Sequence, residues 1–170
     1  MGIEISPPAI LSKDHDLTDF DCGNVALNNW LKRFAWQNQK ANAANTFVVC
    51  VENRVIGFYS LAVGAVEPIE APQRLKKGLA RHPIPVMVLA RLAVHKEYQV
   101  LKIGSDLLKD AIIRTLKVSE DAGIRAILVH AKDEKASKFY RRFDFEPWPL
   151  APLKLSLLLK DARKNINNET

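Results

Sequence analysis

The sequence predicts a mixed α/β fold, a single domain built on a central sheet flanked by helices. Three observations carry that expectation. Strand-length apolar runs alternate with segments of helical period along the chain, the order that layered α/β folds show. The 170 residues, 48% of them hydrophobic, are enough to bury one core without staples. No internal repeat, low-complexity tract or Gly/Ser linker breaks the chain, so one domain is expected over residues 1–160, followed by a polar, frayed tail at 161–170.

The elements follow in order. After an extended start ending at Pro7 and Pro8, residues Phe20 to Asn24 read as a turn, with Asn24 capping a helix. Leu27, Trp30, Leu31 and Phe34 recur at helical spacing and carry that helix to about Lys40. Trp36 lies off this stripe and is free to meet a partner. The runs TFVVCV (46–51) and VIGFYSLAV (55–63) flank Glu52-Asn53-Arg54 and predict a β-hairpin. Residues 67–85, rich in proline and lysine, predict a loop with at most a short helix. VMVLARLAV (86–94) is apolar but for Arg91, the pattern of a strand buried on both faces. A tight loop ending at Gly104 then opens a helix from Ser105 to about Ala122, with Leu108, Ile112 and Leu116 as its buried stripe and Gly123 as its stop. RAILVHA (125–131) predicts a strand, Glu134 to Phe143 a short helix, and LKLSLLL (153–159) a closing strand.

Composition excludes several classes. No apolar run reaches the roughly 18 residues of a membrane span, and no signal-peptide pattern opens the chain. Cys22 and Cys50 suggest no disulfide framework, which fits a reducing cytoplasm. The histidines at 15, 82, 95 and 130 lack metal-ligand spacing, so no metal is expected. A formal charge of +6 makes the surface basic. The cations gather at Lys32, Arg33 and Lys40, at Arg74, Lys76, Lys77 and Arg81, and around Tyr140 as Lys135, Lys138, Arg141 and Arg142. Such clusters suit a polyanion, and charge alone does not separate tRNA from DNA or from the pyrophosphate of coenzyme A.

Two stretches carry chemistry. In RLAVHKEYQVLKIGSDLL (91–108) a strand runs through a loop into a helix, and a helix start offers unpaired N–H groups and a positive dipole end, which suit a pyrophosphate. In HAKDEKASKFYRRFDFEP (130–147), Ala136, Phe139 and Phe143 form a helical apolar stripe with Tyr140 at its edge, where it either packs or supplies a phenol to a reaction. His130, ending an apolar strand, reads as a hydrogen-bonded core residue or as a base. Arg91 reads as a buried, paired arginine or as a cation turned toward a nucleic acid.

With FDCGNVALNNWL, FYSLAVGAVE, IPVMVLARLAV, LVHAKDEKASKFY and the last strand together, most of the chain resembles the GNAT family of acetyl-CoA-dependent N-acetyltransferases. Within that family it is most similar to the toxins of bacterial toxin–antitoxin pairs. The resemblance implies a GNAT fold and a homodimeric enzyme that acetylates the α-amine of aminoacyl-tRNA and blocks translation. It also implies a ribbon-helix-helix antitoxin that neutralises the toxin and binds operator DNA. Tyr140 falls where the family's general acid protonates the departing CoA thiolate. Main-chain groups of Leu92, Ala93 and Val94 fall where the pantetheine arm is held. The family's phosphate loop, roughly Q/R-x-x-G-x-G/A, reads here Gln99-Val100-Leu101-Lys102-Ile103-Gly104, continuing into Ser105.

Lys102 replaces a glycine of that pattern, and Val100 stands where relatives often carry another. A positive φ would suit a β-branched valine worst. Lys102 either offers its ammonium to a phosphate or blocks the cradle. Asp144 takes the place of a helix-ending glycine, a position whose left-handed backbone aspartate tolerates better than most residues. Arg91, Lys32, Arg33, Arg74, Lys76, Lys77 and Arg141 are the candidate tRNA contacts. Two alternatives stay open: a degenerate domain that keeps antitoxin binding but not acetyl-CoA, and an acetyltransferase for a protein lysine or a small amine.

Overall fold

A computed structural model describes residues 2–79 and 81–169. The strands β1 (Ala9–Ile10), β2 (Asn45–Val51), β3 (Arg54–Val66), β4 (Ile84–Val94), β5 (Ala126–His130), β6 (Glu146–Trp148) and β7 (Ala151–Leu158) form one sheet in the order β1-β2-β3-β4-β5-β7-β6. The helices are α1 (Val25–Asn29), α2 (Ala35–Lys40), α3 (Gln73–Lys76), α4 (Ile103–Val118), α5 (Glu134–Arg141) and α6 (Leu159–Glu169). The residues gather into two compact units, Met1–Ala62 with Leu89–Ala111 and Val63–Val88 with Ile112–Thr170. The mixed α/β architecture is the one expected.

In the first unit, β1, β2 and β3 pair antiparallel. Alternation along β2 sends Val48 and Cys50 to one face, where they join Phe58, Leu31, Ala35 and Ala93 in a buried cluster. Phe47 and Val49 take the other face, and the Phe47 ring stacks on Tyr59 at 5.1 Å. The register steps between Val49↔Gly57 and Cys50↔Val55, which leaves Ile56 with no residue opposite it. The carbonyl of this bulge accepts from the His95 N–H at 2.7 Å, so it holds the chain just past the end of β4. Gly57 lets α4 lie close, because a Cβ there would come within 3.0 Å of Val49 and 3.2–3.3 Å of Leu107 and Ile103.

The capped helix expected over 24–40 is present, but not as one uniform helix. Asn24 caps it as predicted, its Oδ1 accepting from Leu27 N–H at 3.1 Å. Between α1 and α2 the turn widens to a π segment, Trp30–Phe34, in which the Ala35 N–H bonds back to Trp30. Trp36, expected to be available to a partner, instead packs against the buried cluster, with its Nε1 buried.

In the second unit, β5 and β6 each pair antiparallel with β7. Val66, Leu75, Ile84, Val86, Leu128, Trp148 and Leu158 pack into its core. Arg125 donates from Nε to Leu75 O and from Nη2 to Lys77 O, both at 3.0 Å, and so closes the C-terminal end of α3. β6 is not foreseeable from the sequence, because three residues including Pro147 carry no period. The segment expected to be a frayed polar tail is α6. Leu159, Ala162 and Ile166, spaced at i, i+3 and i+7, are the signal for it, and the first two are buried. Asn165 Nδ2 donates to Asp144 at 2.7 Å and Arg163 to Ser119 Oγ at 3.0 Å, which seats the helix.

Candidate active site

The expected phosphate loop is mostly helical. After β4, Lys96–Leu101 forms a 3-10 helix, and α4 begins at Ile103, so Gly104 lies in the first turn of the helix rather than at the end of a loop. The reversal between the two falls on Lys102, at φ 60° and ψ 23°. Of the two bulky residues in the glycine pattern, the left-handed conformation therefore falls on the unbranched one. Val100 sits in the 3-10 helix, 87% exposed and without a positive φ, so it neither strains the backbone nor fills the loop. The first helical bond of α4 runs from Asp106 N–H to Lys102 O at 3.3 Å. The amides of Ile103, Gly104 and Ser105 precede that bond and face outward from the helix start, as helix geometry requires.

Side-chain bonds to main chain hold this loop. His95 caps the 3-10 helix: its Nδ1 accepts from Glu97 N–H at 3.1 Å, and its Nε2 lies 3.1 Å from Asp19 O. Gln99 was expected to bind the carrier. Its Nε2 donates instead to Val94 O at 3.0 Å and to Cys22 O at 3.2 Å, which ties the loop to the end of β4 and to the turn before α1. That turn is itself a knot. Gly23, at φ +88°, lets its N–H reach Asp21 Oδ1 at 2.9 Å, Asn28 accepts from Cys22 N–H, and Asp21 pairs with Lys96 at 3.0 Å. The Gly23 N–H, then Lys96 and Asn28, hold the Asp21 carboxyl well below the usual carboxylate range. The FDCG run is thus the anchor of the loop.

Tyr140 lies on α5, which Asp133 caps by accepting from Ala136 N–H at 2.8 Å. The stripe expected at Ala136, Phe139 and Phe143 is only half-buried, and Ser137 and Tyr140 form the buried face instead. Tyr140 is therefore not at the edge of a stripe but inside, 9% exposed, with Phe145 at 5.6 Å and Phe139 at 5.2 Å between ring centroids. Burial pushes its phenol up to about 12. Asp144 does take the left-handed conformation, at φ 70°. His130 is exposed rather than core; partial loss of hydration and the Lys154 ammonium hold its pKa below the ordinary histidine value.

The candidate cations divide. The Arg74 guanidinium is neutralised by Glu146 and by Asp161, the latter at 2.9 Å, so it joins α3 to β6 and α6 rather than facing solvent as a bare charge. Arg141 pairs with Glu134 at 2.5 Å. Lys32, Arg33 and Lys77 are exposed and Lys76 half-buried, and among the described residues none of the four has a carboxylate partner. Arg91 is half-buried, its guanidinium 3.9 Å from the centroid of the Trp30 ring.

Comparison with known proteins identifies the family. The family model described as an acetyltransferase (GNAT) domain matches residues 42–147. Over 163 residues the chain is 42% identical to a tRNA-acetylating toxin of Mycobacterium tuberculosis, a match covering 96% of this chain and 98% of that protein. Among solved structures it is similar to AtaT complexed with acetyl-methionyl-tRNAfMet, with TM-score 0.88 and 26% identity over 96% of this chain and 99% of that one. It is also similar to a tyrosine-to-phenylalanine variant of AtaT bound to acetyl-CoA and the C-terminus of the antitoxin AtaR, with TM-score 0.79 and 27% identity over 93% and 95% of the two chains.

Proposed function

Because this chain belongs to the GNAT acetyltransferase family, we propose that it moves an acetyl group from acetyl-CoA to the α-amine of an aminoacyl-tRNA, with Tyr140 as general acid. The observation that carries the chemistry is Tyr140 itself. It is a buried phenol whose pKa, about 12, keeps it protonated at any physiological pH, and among the described residues its hydroxyl has no hydrogen-bond acceptor. The acceptor class is that of the toxins the chain resembles.

The residues present fit the carrier. The amides of Ile103, Gly104 and Ser105 are available for the pyrophosphate, the side chain of Val100 points to solvent, and the main chain of Leu92, Ala93 and Val94 is the segment to hold the pantetheine arm. Lys102, exposed at the left-handed residue, can add its ammonium to the phosphates. When bound, acetyl-CoA supplies a thioester whose carbonyl is open to an amine. No side-chain base is required, since an α-amine with a pKa of about 7.7–8.0 keeps a useful neutral fraction near pH 7.5. Tyr140 then hands its Oη proton to the departing sulfur. A phenol this weak does so only as the attacking nitrogen releases a proton in turn, so the balance closes: nitrogen loses one proton, sulfur gains one, and Tyr140 ends unchanged.

In this reading Lys32, Arg33, Lys76 and Lys77 serve the acceptor's backbone, while Arg74 and Arg141 serve the fold. The protein works as a homodimer in the cytoplasm, held by a ribbon-helix-helix antitoxin that also binds operator DNA. AtaT's complex with AtaR supports the antitoxin, and no helix among the described residues is long and apolar enough to cross a membrane. The deciding experiment mixes purified protein and labelled acetyl-CoA with a panel of charged tRNAs, protein lysines and small amines. Label that appears on the α-amine of one or more charged tRNAs supports the proposal. Label confined to lysines or small amines, or absent altogether, refutes it.

A further inference from the structure

We propose that Arg91, pinned on Trp30, is a built receptor for a phosphodiester of the acceptor RNA, an inference that rests on the aminoacyl-tRNA reading above. The arginine is half-buried, and among the described residues no carboxylate or carbonyl accepts from its guanidinium. Arg74 and Arg141 show the contrast, since each is paired with carboxylates. A guanidinium that gives up hydration without gaining an acceptor is poorly stabilised by the fold, and loss of hydration alone lowers its pKa from the usual arginine value.

What the fold supplies is orientation. The Arg91 guanidinium carbon lies 3.9 Å from the Trp30 ring centroid, close enough for a strong cation–π contact. Trp30 is itself fixed: its ring is parallel to that of the fully buried Phe58 within 12°, and its carbonyl closes the π turn through the Ala35 N–H. A guanidinium held by its flat face against a ring keeps its N–H edge open, and that edge matches two oxygens of one phosphate.

Phosphate could come from the carrier or from the acceptor, and the sheet separates the two. Two residues apart on β4, Arg91 and Ala93 share a face, and Ala93 packs with Leu31 and Ala35 beneath the π segment. α4, whose N-terminus is assigned to the carrier, approaches the opposite face through Gly57 and Val49. Lys32 and Arg33 follow Trp30 in the same turn, exposed and without carboxylate partners among the described residues, and extend a cationic track for an RNA backbone.

The test uses full-length protein and varies charged tRNA at saturating acetyl-CoA, then the reverse, at several salt concentrations. Arg91→Met is expected to raise the KM for charged tRNA roughly tenfold and to lower the salt slope of kcat/KM by roughly one, while the acetyl-CoA KM stays within about twofold. Arg91→Lys, which keeps the charge but loses the fork, is expected to keep the salt slope and still bind RNA several-fold more weakly. Mobility shifts with uncharged tRNA report the same losses without turnover, so Arg91-dependent RNA binding by an inactive protein would sink the catalytic reading and leave this one standing. A rise in acetyl-CoA KM with tRNA binding unchanged would assign the phosphate to the carrier and overturn the proposal. Full RNA affinity in Arg91→Lys would also overturn it, because a bare point charge would then suffice. Thermal melts check that each variant is folded, and Trp30→Phe, which keeps an aromatic platform, is expected to lose less RNA affinity than Trp30→Leu.

Discussion

The loop before α4, proposed to hold the carrier's phosphates, and the helix that carries Tyr140, the proposed acid, would serve those roles by opposite physical routes. The loop is open, polar and fastened by side chains that bond to main chain: His95 to Glu97, Gln99 to Val94 and Cys22, Asp21 to Gly23. What it offers a ligand is backbone N–H. Tyr140 is closed in by Phe139 and Phe145, and what it offers is one oxygen. A site made of main chain tolerates changed side chains provided the fastenings hold, and a site made of one hydroxyl tolerates none. The two regions should therefore respond very differently to substitution.

The largest effect belongs to the hydroxyl. Tyr140→Phe is expected to lower kcat for acetyl transfer by about 10²–10⁴-fold, the range of a general acid, and to leave the melting temperature equal or higher, since the buried ring loses only a polar atom. Equal turnover in the variant would show that Tyr140 only packs. The pH response of wild-type protein sharpens the point. With a pKa of about 12 in the fold against 10.0 for an ordinary phenol, stability is fully present below pH 10 and falls as pH rises through 12. The difference between those two values corresponds to roughly 2–3 kcal/mol lost over that window. Denaturant titrations at about pH 9 and about pH 11.5 should show the loss in wild type and a smaller one in Tyr140→Phe. Turnover should rise with the acceptor amine through about pH 8 and show no tyrosine limb below about pH 10.

The same contrast governs what is legible in the sequence. Regular elements are readable because they are long and periodic: the hairpin, β4, α4, β5 and β7 all stand within a few residues of expectation. The Asn24 cap and the left-handed Asp144 are readable because each is local chemistry. The family's motif picks out Tyr140 but not its face, since two phenylalanines suggest a stripe that the packing turns away from the core. The fastenings of the loop are invisible for a different reason. Gln99 and Cys22, or His95 and Asp19, lie 77 and 76 residues apart, and no spacing rule joins them. The pairing of Arg74 with Glu146 and Asp161 is hidden in the same way, so a cation expected to meet RNA also bonds within the fold.

Gln99 tests whether the fastenings matter. Both of its bonds are donated to carbonyls, so the position needs a donor, and either glutamine or arginine meets that need. Gln99→Leu should free the 3-10 helix and raise the acetyl-CoA KM roughly tenfold, the worth of about 1.4 kcal/mol, with kcat little changed. Gln99→Arg should restore most of the affinity. Calorimetry with coenzyme A checks both variants without turnover, and unchanged binding in Gln99→Leu would mean that the amides of α4 hold their direction unaided.

The smallest effects fall on the two residues that most disturb the glycine pattern. Lys102 alone bears the left-handed backbone, at a steric cost of about 1–2 kcal/mol, and glycine there would relieve it while adding roughly 0.5–1 kcal/mol of unfolded-state entropy. Lys102→Gly should thus be stabilising by only about 0.5–1 kcal/mol, read from the denaturant midpoint. Val100→Gly has no strain to relieve and should lose about 0.5–1 kcal/mol with the acetyl-CoA KM unchanged. The KM of Lys102→Gly decides what its ammonium does. An unchanged value makes the lysine a tolerated substitute in a cradle formed by main chain. A several-fold increase that fades at high salt makes it a phosphate ligand that took over where the glycine's closeness was lost.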